Sequence, residues 1–340
     1  MIKLGVIYGG KSTENEVSIK SAKSVIENLD KNKYDIYPTY IDKNGEWYED
    51  KESNKIKIVN IIEYLKQFDV VFPVLHGLYG EDGTIQGMFE LFGINYVGCK
   101  VLASSVGMDK VYTKLIFEKA RINQTKYIYL KKDTNSQYIY VDEEFNEKTM
   151  NAEEIAIIAE EKLKYPLFIK PSNSGSSVGV NKAENREQLI KNIEIAAKFD
   201  RKILIEEGIK GKEVECAVLE TKDGRIEVTN PGEIIPAGEY YSFDSKYNDK
   251  ESKTLNNARI TNEQKEEIKK LALKAFKAID GSGISRVDFF VEDETGKIFI
   301  NEINTMPGFT EISMYPKLFK EYGYTYSEIL DKLIEVKVKK

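Results

Sequence analysis

The stretch SRVDFFVEDETGKIFINEINTMPGFT, residues 285–310, decides the fold. Two apolar runs flank the turn sequence EDETG, and this arrangement predicts a β-hairpin with its turn centred near Thr295. Because successive side chains of a strand point to opposite faces, Arg286, Asp288 and Phe290 are expected to share one face. The hairpin therefore predicts an apolar strand with two charged side chains on one side.

The return strand is predicted to add oxygen donors to that face. Alternation groups Ile300, Glu302 and Asn304, and the turn position sets Asp288 opposite Glu302. Two carboxylates and an amide would then converge, as is typical of Mg²⁺ held together with nucleotide phosphates. Arg286 would neutralise a phosphoryl group in transfer. An ordinary exposed hairpin face explains single charges well, but it explains a matched acidic cluster less well.

A second informative stretch is FIKPSNSGSSVGV, residues 168–180. Small residues at 174–177 leave consecutive backbone N–H groups unshielded, and such groups form concave anion sites. Lys170 ends the strand before the loop, so its ammonium would meet a phosphate from the other side. The alternative is a flexible surface linker. The apolar runs on both sides favour an anchored phosphate loop, although it lacks the Walker pattern.

The chain begins with an alternation of strands and helices. KLGVIYGG, residues 3–10, predicts a buried parallel strand that ends in a Gly-Gly turn, and EVSIKSAKSVIENLD, residues 16–30, has helical periodicity. Further alternation predicts an α/β protein with a parallel N-terminal sheet. The length of 340 residues suggests two or three domains. The predicted domains are 1–98, 99–204 and 205–340, with Lys170 in the second and the hairpin in the third.

The turn after the first strand offers a candidate binding residue. Thr13 and Glu16 have the spacing of a capping box. This interpretation leaves Glu14 at the carboxyl end of the strand, where open α/β sheets bind ligands.

Other candidate residues carry weaker signals. His76 is the sole histidine and follows another predicted strand, but a lone histidine is more often structural. Lys110 is a second possible phosphate cation, although most lysines are solvated. Glu206 and Glu213 could accept from adenine and ribose, yet composition alone favours a surface acidic stretch.

Composition excludes several classes of protein. Fifty Lys and Arg against 56 Asp and Glu are not the basic footprint of a nucleic-acid binder. Cys99 and Cys216 stand far apart, which excludes a disulfide framework or a zinc spacing and suits a reducing cytoplasm. The sequence has no predicted membrane span or signal peptide. The polar segment 242–258 has no periodicity and predicts a long loop, which in compact domains is usually functional or disordered.

Together these segments resemble the D-alanine–D-alanine ligases of the ATP-grasp superfamily over nearly the whole chain. The motifs that carry the resemblance, in family order, are GGKSTENEVS, HGLYGEDGTIQG, MDK, KPSNSGSSVGV, IEEGIKGKEVE, PGEI, SKY, SRVDFF and NEINTMPGFTEISMYP. The resemblance implies an ATP-grasp fold of three α/β domains, the first with a Rossmann-like parallel sheet. ATP would be clamped between the second and third domains.

The resemblance also implies roles for individual residues. Nucleotide contacts are implied for Lys110, Lys170, Ser176, Ser177, Glu206, Ile209, Glu213 and Lys246. The implied ligands of Mg²⁺, or of Mn²⁺ as an alternative, are Asp288, Glu302 and Asn304. Catalytic roles are implied for Glu14, Ser176, Tyr247, Arg286 and Gly308. Substrate contacts are implied for Glu14, His76, Arg286, Gly308, Ser313 and Met314.

The activity implied by the resemblance is the ATP-dependent joining of two D-alanines through an acyl phosphate, for peptidoglycan precursors, by a cytoplasmic homodimer. A D-Ala-D-Ser ligase is the main alternative. Tyr247 after Lys246 resembles the dipeptide-forming members and disfavours a D-lactate product. A non-catalytic ATP-binding module is disfavoured because each implied metal ligand and Arg286 is present. A redox Rossmann enzyme is excluded because GVIYGGKSTE lacks the G-x-G-x-x-G spacing.

Overall fold

The first sheet belongs to the N-terminal region and is mixed. In the computed structural model, which describes residues 1–51, 54–133, 137–236 and 253–338, this sheet has the order β4-β3-β2-β1-β5. Its strands are β1 (Ile2–Gly9), β2 (Tyr34–Ile41), β3 (Trp47–Lys51), β4 (Asn54–Lys57) and β5 (Val70–Val74). β1 pairs in parallel with β2 and β5, whereas β3 pairs antiparallel with β2 and β4. The predicted parallel sheet is therefore confirmed at its centre and corrected at its edge.

Five helices of the described residues accompany or follow this sheet. They are α1 (Asn15–Asn28), α2 (Ile61–Lys66), α3 (Thr84–Phe92), α4 (Val101–Met108) and α5 (Lys110–Lys119). The capping box predicted from Thr13 and Glu16 is wrong, because Glu14 occupies the N-cap position without a side-chain cap. The Glu14 side chain instead binds Ser176 in the second region.

The second sheet is antiparallel, with the order β10-β9-β11-β6-β7-β8. Its elements are β6 (Tyr127–Lys132), β7 (Tyr138–Val141), β8 (Glu147–Met150), α6 (Ala152–Lys162), β9 (Leu167–Pro171), β10 (Asn181–Ala183), α7 (Arg186–Ala196) and β11 (Lys202–Glu207). Residues of α6 and α7 form an apolar core with this sheet. The domain boundaries stay predictions; the one at 204/205 falls inside β11.

The third sheet contains the predicted hairpin. Its order is β15-β14-β12-β16-β17, with β13 paired to β12. The elements are β12 (Gly211–Glu220), β13 (Ile226–Val228), β14 (Gly232–Ile235), β15 (Lys253–Leu255), α8 (Asn262–Ala278), β16 (Ile284–Glu292), β17 (Ile298–Asn304), α9 (Met314–Tyr322) and α10 (Tyr326–Glu335). The long helix that precedes the hairpin is α8, which begins with a Thr261–Gln264 capping box.

Two packing features position the cavity described below. Residues of β1, β5, β12, α9 and α10 share one hydrophobic core, which joins the first sheet to the C-terminal helices. A second core joins α8 to the hairpin strands β16 and β17. No helix of the described ranges is long and apolar enough to cross a membrane.

Candidate active site

One cavity of about 720 Å³ gathers most of the predicted site residues. Its lining includes Glu14, His76, Lys110, Lys170, Ser176, Ser177, Glu206, Ile209, Glu213, Arg286, Glu302, Asn304, Gly308, Ser313 and Met314. Asp288 is buried directly behind this lining, where it binds Arg286 and Asn304. The predicted residues Lys246 and Tyr247, and most of the 242–258 loop, lie outside the described residues.

The hairpin register matches the predicted one at the site and departs from it one residue away. Asp288 pairs with Glu302, as expected, but Phe289 pairs with Ile300, so Asn301 is an extra residue in β17. This β-bulge moves Ile300 into the core, where it is 1% exposed. The predicted grouping of Ile300 with Glu302 and Asn304 is therefore wrong, whereas the latter two both line the cavity.

A buried ion network surrounds Asp288. Arg286 donates from Nε to Asp288 Oδ1 at 2.8 Å and from Nη2 to Oδ2 at 2.7 Å. Asn304 Nδ2 lies 3.0 Å from Asp288 Oδ2. On the neighbouring strand β12, Glu215 pairs with Asp288 in register and places Oε2 3.1 Å from Arg286 Nε. Burial lowers the pKa of Arg286, but Asp288 and Glu215 outweigh it and hold that pKa above its ordinary value.

The donor set around Asp288 suits Mg²⁺ in its chemistry. Asp288, Glu302 and Asn304 offer oxygen atoms from two adjacent strands, and oxygen is the ligand atom that Mg²⁺ prefers. Within the described ranges, no group of three or more His, Cys, Asp or Glu is arranged to hold a metal. The two carboxylates and the amide can bind Mg²⁺ once Arg286 no longer hydrogen-bonds the oxygens of Asp288.

The serine loop between β9 and β10 is anchored at its base. Asn173 donates to Asp200 Oδ2 from its backbone N at 2.7 Å and from Nδ2 at 2.9 Å. Ser172 Oγ donates to Asp109 Oδ1 at 2.6 Å, which ties the loop to the start of α5. These contacts favour the anchored loop over the flexible linker.

The tip of the loop is strained and reaches the N-terminal region. Ser176 and Ser177 both have left-handed backbones, with φ of 49° and 59°. Ser176 Oγ donates to Glu14 Oε1, and a Cβ atom at Gly175 would lie 2.6 Å from Glu14 Oε2. The small residue at 175 is thus required for the approach of Glu14.

Lys110 connects the loop to the hairpin. Its Nζ donates to the carbonyl of Ser174 at 2.7 Å and lies 3.7 Å from Glu302 Oε2. The predicted phosphate loop and the predicted metal ligands therefore meet at one lysine.

Two lysines hold Glu206 inside the second sheet. Lys114 Nζ lies 2.8 Å from Glu206 Oε2, and Lys170 pairs with Oε1. Burial raises the pKa of Glu206, but the two lysines outweigh it and hold that pKa well below its ordinary value. The same carboxylate holds the pKa of Lys170 above its ordinary value despite burial.

The far end of the cavity is built from His76 and the segment that precedes α9. His76 Nε2 lies 3.0 Å from Ser21 Oγ, and Nδ1 lies 3.8 Å from Glu81 Oε1. Burial lowers its pKa, but Glu81 outweighs this effect and raises it. Ser313 takes the N-cap position of α9 without a side-chain cap, and Ser313 and Met314 both line the cavity. The N-terminus of a helix favours anionic groups.

Sequence reasoning missed several residues of the site. Glu215, Glu81, Asn301 and Thr125 line the cavity, and Lys114 lies behind it. Alternation along β12 could have found Glu215, since it follows Glu213 on the same face. No local signal marks Asn301, because the bulge depends on pairing with another strand.

Comparison with known proteins agrees with this geometry. The family profiles D-ala D-ala ligase N-terminus and D-ala D-ala ligase C-terminus match residues 3–99 and 116–335. A D-alanine–D-alanine ligase of Clostridium acetobutylicum is 47% identical, covering 98% of this chain and 97% of its own. One from Acetivibrio thermocellus is also 47% identical, covering 98% and 95%.

Solved structures of similar proteins cover the same length. The VanG D-Ala:D-Ser ligase of Enterococcus faecalis has a TM-score of 0.85 at 38% identity, covering 99% of both chains. The D-alanine–D-alanine ligase of Coxiella burnetii has a TM-score of 0.81 at 30% identity, covering 99% of this chain and 94% of its own. The fold, the matched profiles and these relatives show that the chain belongs to the D-alanine–D-alanine ligase family.

Proposed function

We propose that this enzyme joins two D-alanine molecules into D-alanyl-D-alanine with ATP and Mg²⁺. The observation that carries the proposal is the meeting of the serine loop and the hairpin oxygen donors at Lys110. Such an arrangement suits phosphoryl transfer, which depends on positioning and charge neutralisation. Bound ATP with Mg²⁺ would supply the phosphoryl group that turns the first carboxylate into an acyl phosphate.

The residues of the chain would divide this work. Lys110 and Lys170 would neutralise phosphate charge, with Lys246 as a third cation. Asp288, Glu302 and Asn304 would hold the metal, and Glu206, Ile209 and Glu213 would hold adenine and ribose, with Ser177 in the phosphate loop. Glu14 would bind the ammonium of the first D-alanine, and Ser176 with Tyr247 would close the loop over the site. The roles of Lys246 and Tyr247 rest on the family resemblance.

The second half of the reaction would use the other end of the cavity. Ser313 and the Met314 N–H would bind the carboxylate of the second D-alanine, so that its amine meets the acyl carbon near His76. Arg286 and the Gly308 N–H would stabilise the oxyanion that forms there; one such donor is typically worth about 3 kcal/mol. A Cβ atom at residue 308 would lie 2.8 Å from Ser313 Oγ, so a larger residue there would crowd the space between residue 308 and Ser313.

The test is phosphate release by the purified protein with ATP and Mg²⁺, together with mass spectrometry of the product. We expect release with D-alanine and a dipeptide product. Equal release with L-alanine would contradict the proposed specificity.

A D-Ala-D-Ser ligase is the second candidate, because the VanG structure named above is a D-Ala:D-Ser ligase that superposes over 99% of this chain. The two candidates differ in the second amino acid only. With equal D-alanine and D-serine, we expect mostly D-alanyl-D-alanine. A predominance of D-alanyl-D-serine would favour the alternative.

We also propose that the enzyme is a cytoplasmic homodimer. Free, buried Cys99 and Cys216 suit a reducing compartment. The neighbouring helices α3 and α4 expose Leu91 (78%) and Leu102 (60%), which a second copy would cover. Sedimentation should give a dimer mass that Leu91→Glu or Leu102→Glu reduces; a monomer for the unaltered protein would contradict the dimer.

A further inference from the structure

Three charged side chains are packed together where α5 crosses the second sheet. Lys114 on α5 and Lys170 on β9 both contact the carboxylate of Glu206 on β11. The side chains are 4%, 15% and 7% exposed, respectively. The cluster therefore holds two cations and one anion almost out of reach of solvent.

The two lysines are not equivalent. Lys170 lines the cavity, whereas Lys114 lies behind the lining residues Glu206 and Thr125. Lys114 Nζ also donates to Thr125 Oγ1 at 3.0 Å, and Thr125 Oγ1 donates to Glu206 Oε2 at 2.8 Å. Lys114, Thr125 and Glu206 thus form a closed triangle of polar contacts, and Lys170 stands outside it.

We propose that Lys114 is a positioning residue for the nucleotide, holding Glu206 in place when Lys170 turns to the phosphates. This inference rests on the proposed function, in which Lys170 contacts ATP. A nucleotide phosphate is a stronger anion than a single carboxylate, so it draws the ammonium of Lys170 away from Glu206. A buried carboxylate left without a cation is strongly unfavourable. Lys114 supplies the cation that remains.

The alternative is that Lys114 only ties α5 to the sheet. A purely structural lysine would affect thermal stability and leave nucleotide affinity of the folded protein unchanged. A positioning lysine changes the dissociation constant for ATP, and it does so only while Glu206 is charged.

The experiment measures ATP affinity by calorimetry with Mg²⁺ for the full chain and its variants. Lys114→Met is expected to weaken ATP binding about 10-fold or more, the range typical of residues that orient a binding group. Lys114→Arg, which keeps the charge, is expected to restore most of the affinity. Lys119→Met, an exposed lysine of the same helix, is the matched control and should bind as the unaltered protein does.

Combining Lys114→Met with a second substitution, Glu206→Gln, separates an effect of Lys114 that acts through Glu206 from a direct effect of Lys114 on ATP. In Glu206→Gln, adding Lys114→Met should change ATP affinity little, because the buried charge that Lys114 serves is gone. This pair also keeps the test decisive if Lys114→Met alone does not fold. Equal weakening in both backgrounds, or unaltered affinity of folded Lys114→Met, would overturn the inference while leaving the proposed function intact. Absence of ATP binding by the unaltered protein would overturn both.

Discussion

The guanidinium of Arg286 donates a hydrogen bond to each oxygen of Asp288, with donor–acceptor distances of 2.8 and 2.7 Å. A cation therefore already occupies the carboxylate that the proposal assigns to a metal. Because Glu215 Oε2 also lies 3.1 Å from the Nε of the same guanidinium, Arg286 keeps an anionic partner when it releases Asp288. The metal and Arg286 are thus expected to compete for one carboxylate.

This competition gives a prediction of opposite effects. Arg286→Gln should bind Mn²⁺ more tightly, because Asp288 is released. The rate of ligation should nevertheless fall by about 100-fold or more, because the variant lacks an oxyanion donor. Electron paramagnetic resonance of free Mn²⁺ and dipeptide formation check the two halves. Arg225→Gln, at an exposed turn, is the control. Weaker Mn²⁺ binding by Arg286→Gln would contradict the competition.

Removal of the second carboxylate should abolish activity without unfolding the protein. Glu302→Gln keeps the shape of the side chain but removes a charge from the metal set, so turnover should fall at least about 100-fold. Circular dichroism and thermal melting should match those of the unaltered protein. Glu292→Gln, at the far end of β16, should keep activity; near-normal turnover of Glu302→Gln would refute the metal assignment.

The strained serine loop predicts opposite signs for two substitutions. Ser177 has a φ of 59°, a conformation that costs a residue with a Cβ about 1–2 kcal/mol. Ser177→Gly relieves this strain and should raise the free energy of unfolding by up to about 1 kcal/mol, after the larger entropy loss of glycine. Ser177→Val should lower it by at least about 1 kcal/mol. Urea unfolding measures both, and a stabilising valine would refute the assigned conformation.

The Glu206 cluster predicts an acid-dependent difference in stability. Lys114 and Lys170 hold the pKa of Glu206 below its ordinary value of 4.5, so the folded state loses this contribution as pH falls below 4.5. Glu206→Gln has no such proton to bind. It should have a lower free energy of unfolding than the unaltered protein near neutrality. The difference in free energy of unfolding between the two proteins should narrow in acid by up to about 1.4 kcal/mol per pH unit. A gap that stays constant from neutral to acidic pH would contradict this.

Local patterns in the sequence predicted those parts of the fold that depend on local rules. The helical period of the α1 segment needs only neighbours in the chain, and this helix is present. The pairing of Asp288 with Glu302 was predictable because a short turn fixes the register. The antiparallel edge of the first sheet was missed because β3 and β4 have weak apolar patterns with many charges.

The parts that could not be predicted depend on contacts between distant segments. The position of Glu14 at the end of the first strand marked it as a candidate binding residue, but local patterns do not reveal its contact with Ser176, which lies 162 residues away in the sequence. Lys114 resembles a surface lysine in the sequence, because its burial follows from the packing of α5 on the second sheet. Charge satisfaction, rather than periodicity, decides such positions.

The bulge at Asn301 sets Ile300 and Glu302 on opposite faces of the strand although they are two residues apart. Deletion of Asn301 would make them direct neighbours, which alternate faces in a regular strand, so the isoleucine would stay in the core and the carboxylate at the cavity. A homologous sequence that is one residue shorter at this point can therefore keep the same donor set, whereas one further inserted residue would shift the register again.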